Sequence, residues 1–351
     1  MKRTTSLLLA FCGLLTPAFA QESPPQPHTT MTPITNDSRV FAVNPAIKTL
    51  SVTFPTRFGI TLAGHLYLPK DFDESKTYPA IAVSGPFGAV KEQSSGLYAQ
   101  QLASMGYIAL AFDPSFTGES SGEPRYVASP DINTEDFCAA VDFLSLLPYT
   151  EAGHIGIVGI CGWGGFAINA AALDPRIKAT VASTMYDMCR VNTFGYNDST
   201  TPDQRAALRQ SLAEQRLKDA AAGSYQRAGG VIDPLPDDAP QFVKDYYAYY
   251  KTPRGYHMRS LNSNAGWNTT SAQPFLNTTL MDYAGEITTP VLVIHGEKAH
   301  SRYFGETAFS KLKGDNKELL IIPGANHVDL YDNMEKIPFE HINTFFQKAF
   351  Q

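Results

Sequence analysis

The chain passes from an apolar, strand-like segment into a helix-like one at Gly159-Ile160-Cys161-Gly162-Trp163-Gly164-Gly165. Residues 154–160 are apolar enough for a buried strand, and residues 166–173 have the apolar spacing of a helix. A sharp turn between the two forces its central residue into strained backbone geometry, so its neighbours must be small. The stretch therefore predicts a nucleophile elbow with Cys161 at its tip. A thiol at a helix N-terminus with a histidine beside it is expected to ionise at neutral pH.

Two features of this stretch leave alternatives open. Free cysteine is among the most often buried residue types, so Cys161 could instead fill space in a glycine-rich turn. In addition, Trp163 stands two positions after the cysteine, where a small residue is usual, and glycine follows at Gly164 and Gly165. The close approach of helix and strand is therefore expected one residue further along, with the indole beside the pocket.

Short apolar runs alternate with helical segments along most of the chain. Eight runs predict strands, at residues 50–54, 60–68, 80–84, 107–112, 155–160, 179–183, 291–295 and 319–322. Helical periodicity separates the later runs, at residues 98–105, 134–147 and 166–173. This alternation predicts an α/β fold, with an eight-stranded, mostly parallel sheet and helices on both faces.

The N-terminal residues have the pattern of an export signal. Lys2 and Arg3 precede an apolar run at residues 7–15, which is followed by Ala18-Phe19-Ala20. The run is shorter than the roughly 20 residues that span a bilayer, so a cleaved signal peptide at residues 1–20 is expected rather than a stable membrane anchor. The mature protein is predicted to be periplasmic or secreted. Residues 21–45 are rich in Pro, Thr and Ser and predict a flexible leader.

A long insertion interrupts the alternation of strands and helices. Residues 190–286 contain a helical stretch at 201–222 and an aromatic one at 242–250. An insertion at the carboxyl ends of the strands lies over the place where open α/β sheets bind ligands. We therefore predict a helical cap at 190–286, inserted before the seventh predicted strand, over a core formed by 46–189 and 287–351. Its aromatic residues either line an apolar pocket or attach the cap to the core.

Composition restricts the partners of the protein. A formal net charge of −6 with 18% charged residues leaves no basic stripe for nucleic acid, so a small-molecule partner is expected. The sequence contains no phosphate-binding loop, dinucleotide fingerprint or spaced metal-ligand set, so neither cofactor nor metal is expected. Beyond the signal, the cysteines are Cys138, Cys161 and Cys189. An odd number leaves at least one thiol unpaired, and both the pairing of Cys138 with Cys189 and the oligomeric state stay open.

A cysteine nucleophile needs a base, and the best-placed histidine is His327. It lies in Gly324-Ala325-Asn326-His327-Val328-Asp329-Leu330, directly after the last predicted strand. A loop after the last strand is where the histidine of an elbow-type site sits, so His327 is predicted to be the general base.

The carboxylate that would orient this base is less clearly marked. Ala299 stands after the penultimate strand, where an aspartate is usual, and Glu297 is close by. Asp187 follows the strand before the cap, a position from which a carboxylate can also reach the histidine. We favour Asp187 over Glu297, with Asp329 and Asp332 as more distant candidates.

The backbone donors of an oxyanion hole can be placed more closely. One should be the N–H of Gly162, which follows the nucleophile, and the other should come from the loop after the third predicted strand. Pro86 in that loop has no N–H, so Phe87 is the predicted second donor. Lys91 begins a helix expected to face the same cleft, where it either contacts substrate or points to solvent.

These elements together resemble the α/β-hydrolase superfamily over roughly residues 49–350, and the cysteine elbow resembles that of dienelactone hydrolases, which carry a Cys-Asp-His triad. Further stretches are similar to a bacterial and fungal branch that includes polyketide transferases: Lys91-Glu92-Gln93, Tyr186-Asp187-Met188, Pro253-Arg254-Gly255-Tyr256-His257, Ala299-His300-Ser301-Arg302-Tyr303-Phe304 and His327-Val328-Asp329-Leu330-Tyr331-Asp332. The resemblance implies an acyl-enzyme route.

The residues and the resemblance lead to one main hypothesis and two alternatives. The main hypothesis is an exported hydrolase in which Cys161 attacks an apolar ester, lactone or thioester, with His327 as base, Asp187 as its orienting acid, and Phe87 and Gly162 as oxyanion donors. The first alternative is transfer of the acyl group, of polyketide type, to another acceptor at the same site. The second is a non-catalytic small-molecule binding protein with a hydrolase fold, which the alanine at Ala299 favours.

Overall fold

The computed structural model of the protein describes residues 29–351, so the predicted signal peptide lies outside the described residues. A single sheet runs through this part of the chain. Its strands are β1 Thr30–Pro33, β2 Thr49–Pro55, β3 Thr61–Tyr67, β4 Tyr78–Ser84, β5 Ile108–Phe112, β6 Thr150–Ile160, β7 Ala179–Ser183, β8 Val291–Gly296 and β9 Lys317–Ile322.

The order of the strands across the sheet is β1-β2-β3-β5-β4-β6-β7-β8-β9. The pairs β1–β2, β2–β3 and β3–β5 are antiparallel. All the pairs that follow across the sheet, from β5–β4 to β8–β9, are parallel. The eight predicted strands are confirmed as β2 to β9, and so is the mostly parallel sheet. The carboxyl ends of β4, β6, β7, β8 and β9 therefore meet at one edge, where loops from distant parts of the sequence converge.

The count of eight strands was wrong, because the described part of the chain forms nine. The additional strand, β1, lies inside residues 21–45, which were expected to be a flexible leader without regular structure. All four of its residues are exposed, so the strand has no buried face and no apolar pattern that could announce it. It is held by antiparallel pairing with β2 at the edge of the sheet, where a proline such as Pro33 is tolerated.

Helices cover both faces of the sheet, as predicted. One hydrophobic cluster includes Phe137 and Phe166 from the helices on one side, and the other includes Tyr98 and Phe346 from the opposite side. The helices are α1 Ser94–Ser104, α2 Pro130–Ser145, α3 Gly162–Leu173, α4 Met188–Phe194, α5 Pro202–Ala222, α6 Gln241–Tyr250, α7 Arg302–Lys311, α8 Asp329–Asp332 and α9 Phe339–Ala349.

The insertion between β7 and β8 contains α4, α5, α6 and short 3-10 turns, and both helices predicted within it are confirmed. Helix α5 begins with a capping box, in which Thr201 accepts from the backbone N–H of Gln204 and the Gln204 side chain accepts from the N–H of Thr201. It ends at Gly223, whose φ of +62° is left-handed. Strong local signals of this kind explain why the helices of the insertion could be read from the sequence.

Candidate active site

Cys161 occupies the strained turn that the sequence predicts. It joins β6 to α3 with φ 58° and ψ −127°, a conformation that L side chains rarely adopt. The glycines that follow let α3 approach the chain after β7. A Cβ atom on Gly164 would lie 2.5 Å from the Cβ of Met185, and one on Gly165 would lie 2.6 Å from the carbonyl oxygen of Tyr186. The elbow therefore depends on these glycines, one position later than is usual.

Trp163 does not lie beside the pocket, contrary to expectation. Its side chain is 1% exposed and points into the core between α2 and α3. The ring centroids of Phe137 and Phe166 lie 5.3 Å from that of the indole, and the centroid of Phe112 lies 5.8 Å away. Burial among three aromatic rings stabilises this direction for the largest side chain of the turn.

The thiol of Cys161 belongs to a residue that is only 8% exposed, and three polar groups lie around it. The backbone N–H groups of Phe87 and Gly162 point toward the sulfur, and the hydroxyl of Tyr331 lies within hydrogen-bonding reach of it. Burial nevertheless outweighs these groups and raises the pKa of the thiol above its usual value. The expectation of a thiolate at neutral pH is therefore not met, because the site supplies dipoles to the sulfur and no neighbouring positive charge.

His327 is connected to this thiol through one intervening group, the hydroxyl of Tyr331. Its Nε2 lies 3.0 Å from the hydroxyl oxygen of Tyr331, which also contacts Cys161. Its Nδ1 lies 2.9 Å from Oγ1 of Thr184 and 2.5 Å from Oγ of Ser301. Burial lowers the pKa of His327 well below its usual range, so the imidazole is neutral at physiological pH.

The structure does not bring Asp187 to His327. Oδ1 of Asp187 instead accepts from the backbone N–H of Arg190 at 3.0 Å, so this carboxylate caps the N-terminus of α4. Asp187 also lines a separate cavity of about 540 Å³ that does not include Cys161. Glu297, the alternative acid, accepts from the N–H of Gly324 at 2.8 Å. The geometric reason is the turn after β7, which directs the shorter Thr184 side chain at the histidine and leaves Asp187 to begin the next helix.

Thr184 and Ser301 were missed by the sequence reasoning. Both are fully buried, and each follows one of the two strands that precede β9 across the sheet, β7 for Thr184 and β8 for Ser301. Neither is a carboxylate, the side-chain type expected to orient the base. Among residues 29–351, Nδ1 hydrogen-bonds with these two hydroxyl groups, so neutral oxygens stand where the acid was predicted.

Cys161 opens onto a cavity of about 200 Å³ beneath the insertion. The cavity wall combines apolar side chains with hydroxyl and amide groups. Its lining consists of Phe87, Cys161, Tyr186, Met188, Val191, Val231, Tyr246, Tyr250, Asn262 and Tyr331. The aromatic residues of 190–286 were predicted either to line a pocket or to attach the cap to the core, and the structure shows both. Tyr246 and Tyr250 line the pocket, while Trp267 stacks on Phe87 of the core with ring centroids 4.4 Å apart.

The loop that carries Phe87 is hydrogen-bonded to the insertion. The side-chain amide of Asn262 donates to the carbonyl of Phe87 at 2.7 Å. The carbonyl of Gly88 accepts from the N–H of Leu261 at 2.8 Å and from the hydroxyl of Ser260 at 3.0 Å. Segment 260–262 therefore fixes the backbone whose N–H group points at the thiol.

Lys91 was predicted either to contact substrate or to point to solvent, and both predictions were wrong, because its side chain is buried away from the pocket. Its Nζ is fully buried, 2.9 Å from Oδ2 of Asp113, 2.9 Å from Oε1 of Glu92 and 2.5 Å from Oε2 of Glu119. Arg259 of the insertion joins this group through Glu92, at 2.5 Å. We call these five residues the Lys91 cluster. It binds the loop after β4, the loop after β5 and the insertion together behind the site.

Metal ligation and membrane insertion find no support within residues 29–351. No group of three or more His, Cys, Asp or Glu side chains there is arranged to hold a metal ion. No helix in the same range is long and apolar enough to cross a bilayer. Cys138 and Cys189, whose pairing the sequence left open, are both free and buried.

Comparison with known proteins places the chain in a family. A model of the dienelactone hydrolase family matches residues 62–186. The uncharacterized protein PA2218 of Pseudomonas aeruginosa is 54% identical over 313 residues, which cover 88% of this chain and 83% of PA2218. The uncharacterized protein YcjY of Escherichia coli is 33% identical over 284 residues, which cover 78% of this chain and 89% of YcjY.

Two fungal relatives carry the names of enzymes. Thiohydrolase aneE of Aspergillus aculeatus is 30% identical over 189 residues, 54% of this chain and 54% of its own length. Polyketide transferase claH of Penicillium crustosum is 31% identical over 131 residues, 37% of this chain and 42% of its own length. This chain therefore spans about half or less of these two proteins.

Solved structures show the same architecture. The crystal structure of PA2218 has a TM-score of 0.88 and 52% identity, and the match covers 91% of this chain and 99% of that one. The α/β-hydrolase GrgF of Penicillium sp. sh18 has a TM-score of 0.72 at 20% identity, over 86% of this chain and 99% of GrgF, which shows the fold alone. The chain belongs to the dienelactone hydrolase family, whose members are α/β-hydrolases that act on ester-type bonds.

Proposed function

We propose that the protein uses Cys161 as a nucleophile and cleaves an ester, lactone or thioester through an acyl-enzyme. The observation that carries the proposal is the surroundings of the thiol, which sits at a strained turn, opens onto the pocket and faces the N–H groups of Phe87 and Gly162. A substrate carbonyl bound at the sulfur has its oxygen beside these two donors. Paired backbone N–H groups in a site without water are the arrangement that stabilises a tetrahedral oxyanion.

His327 acts as the general base in this proposal. The hydroxyl of Thr184 donates to the backbone carbonyl of His327 at 3.3 Å, so its oxygen is left to accept from Nδ1 at 2.9 Å. The ring proton is thereby assigned to Nδ1, and Nε2, on the side of Cys161, is the acceptor. A neutral imidazole with a free Nε2 is the form that a base requires.

The proposed reaction has two stages, acylation of Cys161 and hydrolysis of the acyl-enzyme, and every proton that is released has an acceptor. In acylation the thiol proton passes to Nε2 of His327 while Sγ of Cys161 bonds to the carbonyl carbon. The bond to the leaving oxygen or sulfur then breaks, and the leaving group takes the proton from the imidazolium. In deacylation a water molecule gives a proton to His327 and attacks the acyl carbon. The C–S bond breaks, the acid leaves, and the imidazolium of His327 returns its proton to the sulfur, which restores the thiol.

The pocket favours an apolar acyl group of moderate size. A second cavity of about 520 Å³ shares Val231 and Tyr246 with the pocket at Cys161. Its other lining residues come from the insertion and include Ile232 and Val243, with Asp238 as an acidic member. An acyl chain that extends past Tyr246 therefore finds a mainly apolar wall, so the substrate is proposed to be a small apolar molecule.

Acyl transfer is the second candidate function, and the name of the relative claH supports it. The two functions share the acyl-enzyme and differ in the acceptor that releases it. Water gives hydrolysis, and a second bound alcohol, amine or thiol gives transfer.

The first experiment presents p-nitrophenyl esters and thioesters of increasing chain length to residues 21–351. We expect p-nitrophenolate release to rise from acetyl to a medium chain, because the second cavity accepts additional methylenes at about 0.8 kcal/mol each. Intact mass spectrometry should show an acyl adduct, and peptide mapping should place it on Cys161. Added alcohol or thiol acceptors that yield a new ester or thioester would favour transfer. Binding of the panel without adduct or turnover would contradict the proposal and favour the non-catalytic alternative.

We also propose that the protein is exported, on the sequence pattern of residues 1–20. When the full chain is expressed in a Gram-negative bacterium, we expect it in the periplasm or medium with Gln21 as its first residue, by fractionation and N-terminal mass spectrometry. As a control, Leu8→Arg with Leu9→Arg interrupts the apolar run and should leave the uncleaved chain in the cytoplasm. A cytoplasmic wild-type chain that keeps Met1 would contradict export.

A further inference from the structure

We propose that Tyr331 relays the proton between the thiol of Cys161 and Nε2 of His327. The inference rests on the proposed function, since it assigns how the base of that mechanism receives the proton. The geometry that motivates it is the position of the Tyr331 hydroxyl, which lies 3.0 Å from Nε2 of His327, while Tyr331 and Cys161 line the same pocket. Of the residues that the structure describes, Tyr331 thereby connects the thiol with the imidazole.

The hydroxyl of Tyr331 is suited to this position. It lies 3.0 Å from Nε2 of His327 and within hydrogen-bonding reach of the thiol in the pocket that both residues line, so it stands between the two reacting groups. Because Nδ1 carries the ring proton, Nε2 accepts, and the tyrosine O–H must donate to it. The same oxygen keeps lone pairs with which it accepts from the thiol S–H. The ground state is then a continuous chain from S–H to O–H to Nε2.

The transfer conserves atoms and charge. The thiol proton moves to the oxygen of Tyr331 as the proton of that hydroxyl moves to Nε2. Tyr331 is neutral before and after, while Cys161 becomes a thiolate and His327 an imidazolium. In the product state the hydroxyl donates to the thiolate and the imidazolium donates to the hydroxyl. Both states are therefore fully hydrogen-bonded, and the return transfer restores the starting arrangement.

The surrounding residues hold the ring of Tyr331 in place. The side chain is completely buried on α8, a helix that begins two residues after His327, so the short segment 327–331 carries both groups. The rings of Tyr249 and Tyr250 contact it edge to face, with centroids 5.2 Å and 6.2 Å away. A relay needs a hydroxyl that cannot turn away, and this packing supplies it.

The test combines a variant with a measurement on the wild-type enzyme. Tyr331→Phe keeps the ring and removes the hydroxyl, so the acylation rate, taken from the p-nitrophenolate burst, should fall by about 10²-fold, the scale of general acid–base assistance. Substrate binding should change less than this rate. Tyr67→Phe is the matched control, because it removes a fully buried tyrosine hydroxyl on β3, outside the pocket and away from Tyr331, and it should acylate like wild type.

A proton inventory separates a relay from a structural effect. Acylation by the wild-type enzyme in mixtures of H₂O and D₂O should give a curved plot that requires two protons in flight, one from sulfur and one from the tyrosine. A linear plot for wild type, or wild-type acylation by Tyr331→Phe, would overturn the relay even if that variant folds poorly. Full turnover by Cys161→Ala would instead overturn the proposed function. Loss of turnover in Cys161→Ala with normal acylation by Tyr331→Phe would remove the relay alone.

Discussion

Cys161→Ala is expected to lower kcat/KM for the best ester of the panel by at least about 10⁴-fold, because it removes the atom that forms the acyl-enzyme. Residual activity would come from the N–H groups of Phe87 and Gly162, which still stabilise an oxyanion formed by water. The variant should fold normally, since a small side chain at this turn is compatible with its neighbours. Steady-state kinetics and the loss of the acyl adduct in the mass spectrum are the measurements.

Cys138→Ala is the matched control for this prediction. Cys138 is also buried and free, but it lies on α2 away from the pocket. Its truncation should therefore leave kcat/KM within about twofold, since it removes no interaction made in the transition state. If Cys161→Ala keeps more than a tenth of wild-type activity while retaining its fold, the cysteine is not the nucleophile.

Under the proposed mechanism, the neutral hydroxyl groups around His327 suit a thiol nucleophile better than an alcohol. A thiol has an ordinary pKa of about 8.5, far below that of an alcohol, so a weaker base can receive its proton. Thr184 and Ser301 orient the imidazole but carry no negative charge to stabilise an imidazolium. A serine at position 161 would meet the same neutral partners, which makes the missing carboxylate consistent with a cysteine hydrolase.

Lys91→Met is expected to destabilise the folded protein by about 3–5 kcal/mol, because it leaves buried carboxylates without their cation. In the wild type, burial by itself raises the pKa of Asp113, but Lys91 and two backbone N–H groups outweigh burial and hold it below the usual range. Burial also opposes the charge on Lys91, and its carboxylate neighbours outweigh that effect and raise its pKa. The loss of one partner therefore exposes the full cost of desolvation for the others.

Urea unfolding at pH 7 and pH 5 measures this effect and its sign. Without Lys91 the carboxyl groups of Asp113 and Glu92 should have folded-state pKa values above their unfolded ones, so the folded variant binds protons as the pH falls. The destabilisation relative to wild type should thus be smaller at pH 5 than at pH 7. Lys76→Met, which removes an exposed lysine paired with Asp73, should change stability by less than about 1 kcal/mol. A similarly small effect of Lys91→Met would mean that the Lys91 cluster does not stabilise the fold.

Patterns among neighbouring residues were sufficient to predict most strands, the helices of the insertion and the elbow at Cys161. Eight strands were found because each carries a short apolar run, and the helices of the insertion because caps and aromatic residues mark them. The strand β1 escaped because both of its faces are exposed. The elbow was recognised since a turn from strand to helix must have small residues around its tip. The proximity of Phe87 and Gly162 to Cys161 followed from the chain order of an α/β sheet.

The sequence by itself determined the sheet, the insertion and the position of Cys161 on a strained turn, because periodicity and glycine spacing are properties of neighbouring residues. Only the tertiary structure decided what surrounds His327. Thr184, Ser301 and Tyr331 come from the three separate segments that follow β7, β8 and β9 and share no pattern, and they meet because these strands end at one edge. Burial of Lys91 and of Trp163 was decided in the same way, since desolvation and ring packing depend on partners that are distant in sequence.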